Sequence, residues 1–113
     1  MLNDKIKEYA NKFPFGLKEF TIALSSETSL AVIYLLYEKG ELTKEEITQQ
    51  FGEICEPEKD NINASIEKLN GWGIIRRTQT KVIGNDVISK YKINGIYRRM
   101  LDSCIEILKI KKM

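Results

Sequence analysis

Residues 28–92, TSLAVIYLLYEKGELTKEEITQQFGEICEPEKDNINASIEKLNGWGIIRRTQTKVIGNDVISKYK, decide how this chain folds, because they carry four local signals in one order. From Leu30 to Tyr37 every residue is apolar, and Gly40 follows as a stop. A helix that is apolar all round belongs inside a core. Next comes Leu42-Thr43-Lys44-Glu45-Glu46-Ile47, a capping box with a hydrophobic staple. Thr43 caps, Glu46 reaches back and Leu42 packs on Ile47, which predicts a helix over 44–51 ended by Gly52 in the left-handed region. Pro57 starts a third helix, with Glu58 and Asp60 near its positive end, and Ile62, Ile66 and Leu69 recur at i, i+4 and i+7 as its buried stripe. Gly71 and Gly73 close it.

Beyond Gly73 the period becomes strand-like. Residues 74–82 and 87–93 are rich in β-branched side chains and flank Gly84-Asn85, a two-residue loop of the kind that makes tight hairpins. With Ile83 facing Asp86, an unbroken register sets Arg77 opposite Lys92, Gln79 opposite Lys90 and Lys81 opposite Ile88 on one face. Val82, Val87, Thr80, Ser89, Thr78 and Tyr91 take the other. Four of the five basic hairpin residues then share a side, and Arg76 falls on the opposite side near Ile93. Such a face can lie along a phosphate backbone, and it can equally be the solvated surface of an exposed strand.

The flanks add helices. Residues 4–12 form a short amphipathic helix with Ile6, Tyr9, Ala10 and Phe13 on one side, broken by Pro14. A second runs over about 17–24, after which Ser25 and Ser26 offer capping hydroxyls and Glu27 suits the first turn of the apolar helix. Residues 95–113 make a last helix, whose apolar residues Ile96, Tyr97, Met100, Leu101, Cys104, Ile105, Ile107, Leu108 and Ile110 exceed one narrow stripe. Tyr97, Leu101, Cys104 and Leu108 follow a 4-3-4 spacing, so these residues with Ile105 are expected to form a homodimer seam. A helix wrapped over its own core is the other reading.

A chain of 113 residues, 42% of them hydrophobic, supports one core and hence a single domain over 1–113, with 28–93 as its centre and 95–112 as a dimerisation helix. No run approaches the roughly 18 apolar residues of a membrane span, and Met1-Leu2-Asn3-Asp4-Lys5 lacks the build of a signal peptide, so a cytoplasmic protein without membrane contact is expected. Cys55 and Cys104 lie on different elements and are read as free thiols. Six basic and 10 acidic residues precede Pro57, whereas 12 basic and 6 acidic follow from there, so a −4 half is joined to a +6 half. That asymmetry is a cue for a polyanionic partner, and surface charge also serves solubility.

The run Ala23-Leu24-Ser25-Ser26-Glu27-Thr28-Ser29-Leu30 through Leu36-Tyr37-Glu38-Lys39-Gly40-Glu41-Leu42-Thr43 resembles the opening of ArsR-like and MarR-like winged-helix regulators. Ile66-Glu67-Lys68-Leu69-Asn70-Gly71-Trp72-Gly73-Ile74-Ile75-Arg76-Arg77 resembles the end of their recognition helix and the start of their wing. The resemblance implies a mainly α winged helix-turn-helix with a small β-hairpin wing and flanking terminal helices. Its third helix would enter a groove of duplex DNA. It puts Asn61, Asn63, Ala64 and Ser65, with Lys68, at the reading positions, and Asp60 and Glu67 on the outer face. Asparagine amides suit adenine edges, and a serine suits base or phosphate. In the ArsR-like pattern about six residues separate the glycine after the second helix from the first buried residue of the third. Here Gly52 and Ile62 are ten apart, so Glu53-Ile54-Cys55-Glu56 either lengthen the turn or add a helical turn.

The chain has no histidine, no Cys-x-x-Cys, no phosphate-cradling glycine loop and no nucleophile elbow, so it is not read as an enzyme and no cofactor is expected. Many ArsR-like proteins sense metals through paired thiolates near the recognition helix. Cys55 stands alone there, and one thiolate cannot build such a site. It is an inert thiol or a redox-sensing one. The expected function is therefore a homodimeric, sequence-specific regulator of transcription on double-stranded DNA. The alternative is a winged helix that contacts a protein partner in a larger assembly.

Overall fold

The computed structural model describes residues 4–10, 12 and 16–112, with side chains described up to residue 109. Its elements are α1 (Asp4–Ala10), α2 (Leu17–Ser25), α3 (Glu27–Lys39), β1 (Leu42–Thr43), α4 (Lys44–Gln50), α5 (Glu56–Gly71), β2 (Ile75–Ile83), β3 (Asp86–Ile93) and α6 (Gly95–Lys112). Phe13 and Pro14, expected to end the first helix, and the side chain of Ile110 lie outside the described residues.

Local chemistry explains most of the boundaries. Ser26, rather than Ser25, caps α3: its hydroxyl accepts from the Ser29 amide, while the Ser25 hydroxyl turns back to the Ile22 carbonyl. Gly40 stops α3 at φ 90°. The capping box of α4 forms in full, with Thr43 Oγ1 accepting from the Glu46 amide at 3.1 Å and Glu46 Oε1 accepting from the Thr43 amide at 3.0 Å. α5 begins at Glu56, one residue before Pro57, and takes Gly71 into its last turn. Its end is a Schellman motif: Gly73 at φ 78° donates to the Asn70 carbonyl, Ile74 donates to the Leu69 carbonyl, and both Leu69 and Ile74 are buried.

The core joins all the central elements. Val32, Ile33 and Leu36 of α3 meet Ile62, Ile66 and Leu69 of α5, Ile47 of α4, and Ile74, Ile75, Tyr91 and Ile93 of the sheet. Side chains of this size, fully buried, stabilise by about 1.5–3 kcal/mol each before entropy is counted. Asn94 fastens the sheet to α6, donating from Nδ2 to the Gly73 carbonyl and accepting the Ile96 amide on Oδ1.

Three findings differ from the sequence expectation. Among the described residues the sheet has three strands in the order β1-β3-β2, because Leu42 and Thr43 pair with Tyr91 and Lys90 besides introducing α4. The hairpin register is as expected from Ile83–Asp86 through Gln79–Lys90, and then a bulge at Thr78 shifts it, so Arg77 faces Tyr91 and Arg76 faces Lys92. One inserted residue reverses the side of everything before it. In α6, Tyr97 and Leu101, expected on the seam, pack with Met100 partly buried against the chain's own core. The Tyr97 ring lies 4.9 Å from that of Phe20, and its hydroxyl fills the space that a Cβ on Gly16, at φ 94°, would need.

Candidate nucleic-acid interface

The insert before the third helix is resolved into both of its alternatives. Residues 51–55 are an irregular loop whose Phe51 and Ile54 pack against the core, and Glu56 to Asn61 add a helical turn and a half ahead of Ile62. Ile62, Ile66 and Leu69 are all buried in the core, and the added turn lengthens α5 at its N-terminal end.

At 100° per residue, the outward centre of α5 is Asp60, Ala64 and Glu67, with Asn63 on the flank toward α4 and Asn61 and Lys68 on the opposite flank. All six are exposed. Asn63 shares a hollow with Lys44, Glu45 and Thr48 of α4 and with Lys59, whereas Asn61 borders Glu27 and Thr28 at the start of α3. The two asparagines therefore serve different surfaces. Ser65, expected among the reading positions, is a correction: it sits beside Ile62 and Ile66 and is only 9% exposed.

Glu67 is the charge that most affects this face. It accepts a hydrogen bond and ion pair from Lys44, which holds its carboxyl below the usual range, and the nearby Arg77 guanidinium adds to the effect. Its negative charge is thus matched locally by two cations. Arg77 reaches this spot because the bulge puts it on the Tyr91 side of the hairpin. Its guanidinium donates to the Tyr91 hydroxyl at 3.5 Å and lies 5.8 Å from the ring centre. Thr43, Lys44, Arg77 and Ser89 line a cleft of about 300 Å³ between α4 and the wing.

The opposite face of the wing carries Arg76, Gln79, Lys81, Lys90 and Lys92. Arg76 replaces Arg77 there, so four basic residues still share a side but not the four expected. Lys90 stands near Glu46, whose carboxyl is held low chiefly by the Thr43 amide and further by this charge. Sequence reasoning missed Lys44, Thr48 and Lys59, which enter the site only through the packing of α4 against α5. The tip is a tight turn with Gly84 at φ 62°, the conformation that the first loop position of a type II′ turn requires.

Among the described residues no three His, Cys, Asp or Glu side chains converge as metal ligands, and Cys55 and Cys104 are both exposed free thiols. No single described helix is long and apolar enough to cross a membrane.

No protein-family model and no curated protein sequence matches the chain. Solved structures do. A crystal structure of an ArsR family transcriptional regulator superposes with a TM-score of 0.56 at 20% identity, covering 87% of this chain and 91% of that one. The antimony-specific transcriptional repressor AntR superposes with a TM-score of 0.59 at 16% identity, covering 99% of this chain and 96% of its own. With six helices, a three-stranded antiparallel sheet and a hairpin wing among its described residues, the chain has the winged helix-turn-helix fold of ArsR-like transcriptional regulators.

Proposed function

We propose that this chain is a homodimeric, sequence-specific regulator of transcription that reads duplex DNA with α5 and grips the backbone with its wing. The carrying observation is the outer face of α5: packing consumes Ile62, Ser65, Ile66 and Leu69 and leaves Asn63 and Ala64 exposed, with Asn63 in a hollow that Lys44 and Lys59 also line. Amide side chains bracketed by cations suit base edges bracketed by phosphates. The role needs no catalysis, and it is exercised in the cytoplasm, where the DNA partner is met.

Dimerisation is supported by what the monomer leaves uncovered. α1 buries none of its residues, with Ile6 and Tyr9 more than half exposed, and Ile107 and Leu108 are 56% and 59% exposed. The radius of gyration, 16.4 Å, exceeds the roughly 13 Å of a compact chain this long. We assign the seam to Cys104, Ile105 and Leu108 with Ile107, since Tyr97 and Leu101 are spent on the core. The competing reading, a module that docks on a basic protein, rests on Asp60 and Glu67. Glu67 is already engaged by Lys44, which weakens that reading.

Fluorescence anisotropy with a selected and a scrambled duplex over a salt series tests the proposal, with light scattering on the same samples. Binding should fall steeply with salt, and changing Arg76 and Lys81 to Ala should reduce the slope by about one to two units for both duplexes. Salt-insensitive or absent DNA binding by a monomeric chain would sink it.

A further inference from the structure

We infer that the hollow between α3, the 51–55 loop and the first turns of α5 is an effector site for a hydrophobic organic cation. Two adjoining spaces, of about 330 and 550 Å³, share Glu27, Ala31 and Phe51 as walls. Together they reach the roughly 300–1,000 Å³ of ordinary small-molecule sites. Leu30, Tyr34 and Leu35 extend one, and Ile54 and Ile62 floor the other.

The polar groups choose the ligand's charge. Glu27, common to both linings, and Glu58, in the smaller space alone, are their charged residues; no cation accompanies them, and neither carboxylate is engaged in an ion pair among the described residues. Phe51 and Tyr34 add aromatic faces, which attract a cation through the ring quadrupole. An anion would meet two unpaired carboxylates. A bare metal ion would gain nothing from the apolar floor. A bulky cation with apolar substituents uses every part of the lining.

The lengthened turn contributes Ile54 to the hollow. The hollow also touches the reading helix directly, through Glu58, Asn61 and Ile62, within two residues of Asn63. A ligand held there acts on the N-terminal end of α5, so its binding is coupled to that of DNA. This regulatory part rests on the DNA-binding reading, whereas the site itself does not.

Titration calorimetry of the full chain with tetraphenylphosphonium, against tetraphenylborate as the anion of the same shape, tests the site. The phosphonium should bind saturably and the borate about tenfold or more weaker, the scale of one charge–ring or ion contact. Glu27→Gln with Glu58→Gln, and separately Phe51→Leu, should each weaken the phosphonium by about tenfold at a temperature where thermal unfolding without ligand shows the variant still folded. Equal affinity for the two ions, no binding, or undiminished binding by the glutamine variant overturns the site. Loss of the dimer in that variant also overturns it, by assigning the hollow to a second copy. Anisotropy with DNA then separates the two readings. A phosphonium-induced change in DNA affinity that the glutamine variant lacks supports the effector role, and DNA binding indifferent to saturating phosphonium removes it. Phosphonium binding by a chain that never binds DNA keeps the site and sinks the regulator.

Discussion

The two faces of α5 differ in what constrains them. On the inner face Ile62, Ile66 and Leu69 are at most 6% exposed and lock into α3 and the sheet. On the outer face Asn63 and Ala64 stand in solvent, and Glu67 is held only by surface charges. Packing thus fixes which way the helix points, and it leaves Asn63 and Ala64 outside the core. That division is what a reading helix needs, because a side chain that must fill a core cannot also be chosen for a base edge. Ser65 marks the border: it looks like a reader in sequence and is buried in the fold.

The largest effect should come from the inner face. Ile66→Ala should cost about 2–5 kcal/mol of stability, seen as a lower midpoint in urea, through lost burial and the cavity left behind. A change within experimental scatter would mean that α5 is not anchored as described. The outer face should behave oppositely. Asn63→Ala should leave the urea midpoint where it is and remove about 1–3 kcal/mol of preference for a selected duplex over a scrambled one. Loss of stability with intact selection would break the comparison between the faces.

Smaller effects sharpen it. Thr43→Ala removes the cap of α4 and should cost about 1 kcal/mol in thermal unfolding. Because α4 carries Lys44 and Thr48 to the outer face, the same variant should weaken DNA binding more than its stability loss alone accounts for, and unchanged binding would detach α4 from the site. The least effect is in pH. The folded carboxyls of Glu46 and Glu67 are both held low, by the Thr43 amide and by Lys44 respectively. Their stabilisation is therefore present above the ordinary carboxylate range and lost as pH falls through the depressed values. Both groups are exposed, so the contribution is modest. Glu67→Gln should flatten the acid limb of the thermal unfolding profile slightly, and an identical limb would show that the Lys44 pair does not persist in solution.

A second contrast lies along α6. Its first half is tied down by Asn94, by the Tyr97–Phe20 contact, and by Arg98, which stacks 4.6 Å from the Tyr37 ring and donates to the Tyr37 carbonyl. Asp102 accepts from the Tyr37 hydroxyl, which pushes that phenol's pKa up. Past Asp102 the helix leaves the core, and Ile107 and Leu108 are more than half exposed. The 4-3-4 spacing of Tyr97, Leu101, Cys104 and Leu108 runs across this divide without a mark.

Sequence by itself determined the order of the helices and of the hairpin, because caps, glycines and apolar periods act within a few residues of chain. Thr43 and Glu46, Gly40, Gly52 and Gly73, and the stripe of Ile62, Ile66 and Leu69 each carry their own local reason. Tertiary structure alone decided the bulge at Thr78, the pairing of Leu42 with Tyr91, the burial of Ser65, and the meeting of Lys44, Glu67 and Arg77. These depend on groups far apart in the chain, where a shift of one residue exchanges one face for the other, and only the packing of the whole core selects between them.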